Sequence, residues 1–147
     1  MSLQEHTSAQ PRPLVEDPVQ LLEVLESITD PFSVLDDELR VVFMNEAAAK
    51  LVGGSREQMI GKVPWEAIPE AKDTSFTRAY EQALRERKSV VVEDYFAPWD
   101  RWFEASIFPL RCGISIYTRD VTARKRAEVL KERLGVFVTQ GPFAETT

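Results

Sequence analysis

The chain has 147 residues, a formal net charge of −6 from 18 basic and 24 acidic side chains, and one cysteine. Its length and 44% hydrophobic content suit a single globular domain with terminal extensions, and lone Cys112 excludes an internal disulfide or a cysteine-rich metal site. No apolar run approaches the roughly 18 residues of a membrane span, nothing resembles a signal peptide, and the acidic balance argues against nucleic acid or an anionic membrane as main partner, so a cytoplasmic protein is expected.

In chain order, residues 1–16 carry few large apolar side chains and no periodicity, and read as a disordered arm that holds His6, the only histidine. Asp17-Pro18-Val19-Gln20 has the pattern of a helix start, with a capping residue, proline at the first helical position and a capping-box glutamine. Leu21, Leu22, Leu25 and Ile28 then form one apolar stripe, and Thr29-Asp30-Pro31 ends the helix. Residues 32–35 and 39–45 read as two strands joined by the polar turn Asp36-Asp37-Glu38. Strict alternation places Val41, Phe43 and Asn45 on one face and Val42 with Met44 on the other. A sheet apolar on both faces needs two covers, and the second is either the N-terminal helix or a partner subunit.

Asn45 is positioned to cap a short helix over residues 46–52, stopped by Gly53-Gly54. Ser55-Arg56-Glu57-Gln58 is a capping box, and Pro64 and Pro69 bracket a single turn around Trp65. A longer helix starts at Asp73 or Thr74 and runs to about Lys88, with Phe76, Tyr80, Ala83 and Leu84 as its apolar stripe. Three β-rich runs follow: residues 89–96, then residues 101–110 after an Ala97-Pro98-Trp99-Asp100 turn, then residues 114–119 after an Arg111-Cys112-Gly113 turn. Asp120-Val121-Thr122 opens a charged helix that Gly135 is expected to end. The basic residues Arg119, Arg124, Lys125, Arg126, Lys131 and Arg133 crowd this region; interleaved with Glu128 and Glu132, they read as a solvated helix surface. The order of helix, two strands, several helices, three strands and helix is an α+β arrangement.

Asn45-Glu46-Ala47-Ala48, Gly61-Lys62 before the Trp65 turn, Trp102-Phe103-Glu104 and Asp120-Val121-Thr122 occur in the order and spacing that resemble the PAS family, over about residues 18–134. The last two β-rich runs are similar to the final strands of a bacterial PAS sensor domain, and Asp120-Val121-Thr122 to its D-[IV]-T junction. The resemblance implies a PAS-like five-stranded antiparallel sheet with short helices on one face. It also implies an N-terminal cap helix within residues 17–122, a signalling helix over 123–135, and a tail or the start of a downstream segment over 136–147. The function it implies is a sensor and dimerisation module of a signal-transduction protein, as in two-component systems, linked to a kinase or cyclic-dinucleotide effector.

The chain offers little for catalysis. A hydrolytic triad needs a base beside its nucleophile, and His6 in a mobile arm is a poor one; no catalytic or metal-ligating residue is assigned. Haem-binding PAS domains usually take a proximal histidine from the long helix, which has none here. Cys112 lies in a turn and not in the Asn-Cys-Arg motif of flavin-bonding relatives, so it reads as an incidental thiol. Non-covalent flavin, with Trp65 and Trp102 as stacking walls, stays open beside the plainer reading of these rings as core. Asp36-Asp37 mimics a phosphoacceptor pair, but without a βα alternation they are turn residues.

A cavity between sheet and helices is the remaining candidate site. Its expected walls are Phe43, Met59, Trp65, Ile68, Phe76, Tyr80, Ala105, Ile107 and Ile116, with Asn45, Tyr80 and Tyr95 as hydrogen-bonding groups. Either these side chains fill the interior or they enclose a small, largely apolar, uncharged ligand. The last helix carries Ala123, Ala127, Leu130, Leu134 and Phe137 at spacings of 4, 3, 4 and 3, the seam of a short coiled coil. A homodimer is expected through Ala127, Leu130 and Leu134, through Leu21, Leu22 and Leu25, and over Val42 and Met44. The junction is assigned to Glu104, Arg119, Asp120 and Thr122, with Arg119 pairing Glu104 and with Asp120 and Thr122 capping the helix. Two rival readings are a cone-shaped α+β enzyme of the nuclear-transport-factor-like type, using Glu93 or Glu104 as an inward carboxylate, and a ligand-free structural dimeriser.

Overall fold

All five β-rich runs form strands of one sheet: β1 Phe32–Asp36, β2 Val41–Met44, β3 Val90–Phe96, β4 Arg101–Leu110 and β5 Gly113–Asp120. The order across the sheet is β2-β1-β5-β4-β3, and every neighbouring pair is antiparallel. The helices are α1 Pro18–Ser27, α2 Glu46–Val52, α3 Arg56–Met59, α4 Pro64–Ala67, α5 Ser75–Glu86 and α6 Thr122–Gln140, with single 3-10 turns at Pro69–Ala71 and Ala97–Trp99. The computed structural model describes the backbone of residues 18–140 and their side chains except at residues 21, 22, 25–27 and 136–140. The arm over residues 1–16 with His6, the Asp17 cap, the end of the tail, and the side chains of Leu21, Leu22, Leu25 and Phe137 lie outside the described residues.

The period of two along β4 decides which face is core. Phe103, Ala105 and Ile107 are buried beneath the helices, while Trp102, Glu104 and Ser106 lie on the outer face. Leu35, Val41, Ile107 and Ile114 are among the largest fully buried side chains. Helix α5 packs across β3, β4 and β5 through the side bearing Phe76, Ala79, Tyr80 and Ala83. At the tight β4–β5 turn, a Cβ on Gly113 would collide with the Leu35 carbonyl oxygen, so glycine is what lets β5 close on β1.

Strand β2 departs from strict alternation. Val34 pairs with Phe43 but Leu35 pairs with Val41, so Val42 is an extra residue at a bulge. The bulge turns both Val41 and Met44 into the core and leaves Val42 50% exposed. Met44 therefore belongs to the interior and not to an outer dimer face, and Phe43 is on the outer side, where its ring lies 6.3 Å from that of Phe32.

Local capping follows the sequence closely. Ser55 and Gln58 form the reciprocal box at α3, and Thr74 caps α5 by accepting from the Thr77 N–H. Gly53 ends α2 in the left-handed region at φ 72°. Asn45 does more than cap. Its Oδ1 accepts from Ala48 N at 2.9 Å and from Phe32 N at 3.1 Å, and its Nδ2 donates to the carbonyls of Asp30 at 3.0 Å and Ile28 at 3.2 Å. Both amide lone pairs and both N–H groups are thus used in a residue with no solvent exposure. The last helix runs through Gly135 to Gln140 instead of stopping at 135. A glycine inside a helix costs only about 1 kcal/mol relative to alanine, too little to end one without a left-handed cap or a following proline.

Asn45→Ala is expected to lower the unfolding free energy by about 3 kcal/mol or more in urea titration, because a cap is lost and two carbonyls and two N–H groups lose their partners together. A loss below about 1 kcal/mol would show that water replaces the amide, contrary to its full burial.

Candidate functional site

Between the inner face of the sheet and helices α2 to α5 lies a cavity of about 130 Å³. Its wall includes Leu35, Val41, Met44, Met59, Ile68, Ala105 and Ile116, with an aromatic end built from Phe76, Phe96, Trp99 and Phe103. These rings meet edge-on: Phe96 and Trp99 centroids are 5.0 Å apart, Trp99 and Phe103 5.9 Å, Phe76 and Phe103 6.4 Å. Among the described residues no charged side chain lines the cavity. The hydroxyls on the wall are those of Ser33, Thr77, Tyr80 and Thr118. Thr77 donates to the Ala71 carbonyl at 2.7 Å; the side chains of Ser33, Tyr80 and Thr118 have no hydrogen-bond partner among the described residues. Tyr80 keeps some accessible area at this wall, yet burial among its neighbours pushes its phenol up to about 12, so it is a neutral O–H at any ordinary pH.

Of the residues expected at the cavity, Met59, Ile68, Phe76, Tyr80, Ala105 and Ile116 line it. Five others do not. Asn45 is fully committed to backbone groups, and Phe43 faces outward because of the bulge. Ile107 is buried in the core beside the cavity, and Trp65 packs against that core without reaching the void. Tyr95 is on the outer face, where its hydroxyl donates to Asp100 Oδ1 at 2.7 Å and its ring lies 5.6 Å from Trp102. Phe96, Trp99 and Phe103 are among the lining residues absent from the sequence expectation, as are Leu35, Val41, Met44 and the hydroxyl-bearing Ser33, Thr77 and Thr118. Phe103 was available from alternation, since Ala105 and Ile107 share its parity; Trp99 sits in a turn, where no periodicity applies.

The second constellation holds the start of α6 against the outer face. Val121 N donates to the Trp102 carbonyl at 2.8 Å, and Trp102 N donates to Thr122 Oγ1 at 2.8 Å. Asp120 Oδ1 accepts from Thr122 N at 2.9 Å, so Asp120 caps the helix while the Thr122 hydroxyl ties it to β4 instead. Arg119 pairs with Glu104 directly across the strands, at 3.0 Å. Beyond these, Lys125 stands 4.7 Å over the Trp102 ring and pairs with Glu93 at 3.0 Å; Arg124 also bonds Glu93. Arg126 reaches Asp100 Oδ2 at 3.1 Å. The basic cluster is therefore partly an anchor for the helix and not only a solvated surface.

The Lys125 hydrogen bond, aided by Arg124, holds the Glu93 carboxyl below its usual value near 4.5. Tyr95 and then Arg126 do the same for Asp100. Neither glutamate proposed for an enzyme faces the cavity: Glu93 and Glu104 pair across the outer face and are bound to cations. Among the described residues no group of three or more His, Cys, Asp and Glu is placed to hold a metal, and no helix is long and apolar enough to cross a membrane.

The family model described as the PAS fold matches residues 25–126, more than half of the chain. The chain belongs to the PAS-fold family. Several solved structures share the fold. The PAS domain of BvgS from Bordetella pertussis is 20% identical with a TM-score of 0.60, the match covering 84% of this chain and 99% of that one. A sensory box sensor histidine kinase from Vibrio cholerae is 22% identical with a TM-score of 0.56, covering 71% and 90%. An RNA-binding Light-Oxygen-Voltage receptor is 18% identical with a TM-score of 0.64, covering 87% of this chain and 40% of that one. At these identities the likeness shows the PAS fold alone. No curated protein matches the chain.

Because the Glu93 carboxyl titrates lower in the folded protein than its ordinary value, its contribution is complete above about pH 4.5 and is lost as pH falls through the folded value. Amide exchange, corrected for intrinsic rates, should therefore rise in the first turns of α6 as pH drops below 4.5. Glu93→Gln should raise exchange there at neutral pH and flatten the acid response. An α6 whose protection is indifferent to both changes would show that the charge pairs do not hold it.

Proposed function

We propose that this PAS domain is a non-enzymatic sensor and dimerisation module that takes a small, uncharged, largely apolar ligand in its cavity and passes the bound state through α6 to an effector. The observation that carries the reading is the cavity itself: about 130 Å³, bounded by apolar and aromatic side chains, with three hydroxyls unpaired among the described residues and no charge. A void of about 150 Å³ lined by Leu, Ile and Phe is large enough for benzene or xenon, so this one is the size of a single ring. An ionised ligand would lose its hydration against a wall that offers no counter-charge. The three-ring system of a flavin exceeds the space, and Trp102, one of its supposed stacking walls, lies on the other side of the sheet. That both Glu93 and Glu104 are bound to cations on the outer face favours a sensor over the cone-shaped enzyme.

The dimer part of the proposal rests on α6. Ala127, Leu130 and Leu134 are exposed at spacings of 3 and 4, and Leu130 remains 58% exposed in the isolated chain. A second copy packing in parallel along this stripe would cover it. The effector, a kinase or cyclic-dinucleotide enzyme in a two-component-like pathway, and a cytoplasmic setting complete the proposal.

Benzene titrated into the purified protein should bind with saturable chemical-shift changes at Ala105 and Ile116. Ala105→Leu, which fills the void, should weaken binding at least about tenfold while costing about 1–3 kcal/mol of stability from crowding. Binding that is unchanged in this variant would move the site elsewhere, and no binding of benzene or xenon at all would favour the ligand-free dimeriser. Sedimentation should give a dimer for the native chain and a monomer for Leu130→Glu; equal masses for both would remove α6 from the interface.

A further inference from the structure

We propose that the turn between β3 and β4 couples the cavity to α6, with Trp99 as the wall that senses the occupant and Asp100 as the positioning residue for the helix. The inference rests on the reading of the cavity as a ligand site and deepens it by naming how that site is read out. Wall and anchor residues follow one another in the chain here. Trp99 and Phe103 line the cavity and touch each other edge-on at 5.9 Å. Asp100 and Trp102, between them, hold the helix: Asp100 Oδ2 pairs with Arg126 at 3.1 Å, and beneath the Lys125 ammonium the Trp102 carbonyl accepts from Val121 N while Trp102 N donates to Thr122 Oγ1. One planar peptide therefore separates the cavity wall from the first helix contact, which leaves only the torsions of Trp99 and Asp100 themselves between the two.

The turn is built to move as a unit. Trp99 ends a one-turn 3-10 helix, and Asp100 follows in the left-handed region at φ 52°, a conformation uncommon for a residue other than glycine. Tyr95 Oη, donating to Asp100 Oδ1 at 2.7 Å, fixes the carboxylate on the side facing Arg126. An occupant that presses on Trp99 rotates this turn, and the Asp100 carboxylate leaves Arg126. The Asp100–Arg126 pair is solvent-exposed, so water replaces it readily and the helix is loosened at Arg126 while its contacts with Trp102 and Glu93 stay in place. Other cavity walls, such as Leu51 on α2, are not part of the turn and lack this link.

Hydrogen exchange of residues 122–130 in the full chain tests the route without a ligand. Trp99→Ala should raise exchange there about fivefold or more; Trp99→Phe and Leu51→Ala take away similar amounts of wall, and the first should raise exchange clearly more than the second, which should stay below about twofold. Asp100→Asn keeps a residue that tolerates the left-handed conformation and should itself raise exchange; adding Trp99→Ala to it should then add less than about twofold, because both act through one link. Equal effects of Trp99→Phe and Leu51→Ala, or a Trp99→Ala factor undiminished in the Asp100→Asn background, would overturn the proposal. Should Trp99→Ala fail to fold, Trp99→Phe supplies the same comparison with a smaller wall change. Benzene then separates this inference from the one beneath it: it should alter helix exchange in the native chain and not in Asp100→Asn, at affinities equal within about twofold. Benzene that fails to bind would count against the ligand reading, while the variants alone still decide the coupling.

Discussion

The constraint on which the rest depends is the alternation of side chains along β4. Because successive residues of a strand point to opposite faces, one strand supplies the floor of the cavity and the seat of the exit helix at once. Phe103 and Ala105 look into the void; the Trp102 ring and Glu104 look away from it, the ring under Lys125 and the carboxylate on Arg119, while the Trp102 main chain bonds Val121 and Thr122. No hinge or linker separates the two functions. A register slip of one residue along β4 would put Trp102 into the core and Phe103 under the helix, destroying both.

Around that strand, Asn45 performs the equivalent service for the other half of the sheet. The end of α1, the start of β1 and the start of α2 approach one another where no secondary structure can satisfy all their backbone groups. A single amide with two donors and two acceptors does so. Serine or aspartate would cap α2 as well, but neither offers two N–H groups to the carbonyls of Ile28 and Asp30. The residue type is thus set by four neighbours at once, although its position in the sequence advertises only the helix cap.

That example marks how far the sequence could be read. The strands, the capping box at Ser55, the helix start at Thr74, the Gly53 stop and the order of elements are local properties, and local propensity places them well. The cavity is not local. Its helix-borne walls, Phe76 and Tyr80, could be read because α5 keeps a clean period, and Ala105 and Ile116 because β4 and β5 alternate. Met44 was misplaced by a single extra residue at Val42, a bulge that leaves no mark in the composition of β2. Trp99 was invisible because turns have no period, and the Glu93–Lys125 and Asp100–Arg126 pairs because 32 and 26 positions in sequence say nothing about distance in space. The basic residues of α6 looked like solvent decoration for the same reason. Gly135 resembles a helix stop in sequence, but a lone glycine only weakens a helix.

The energies explain why a sensor of this kind would be built with weak contacts at the helix. A ring of six non-hydrogen atoms can contribute at most about 1.5 kcal/mol per atom, or about 9 kcal/mol, and only the part that differs between two conformations shifts their populations. Moving a two-state equilibrium from 1:99 to 99:1 takes about 5.5 kcal/mol of that difference. A helix buried against the sheet by an apolar interface would exceed such a supply, and one with no contacts would carry no information. Exposed pairs from Glu93 and Asp100, together with one ring under an ammonium, lie between these extremes. The apolar residues that could have fastened the helix more firmly are instead in solvent: Leu130 and Leu134 are both more than half exposed. On the proposed reading, the same helix is loosely held where it would respond and apolar where it would associate.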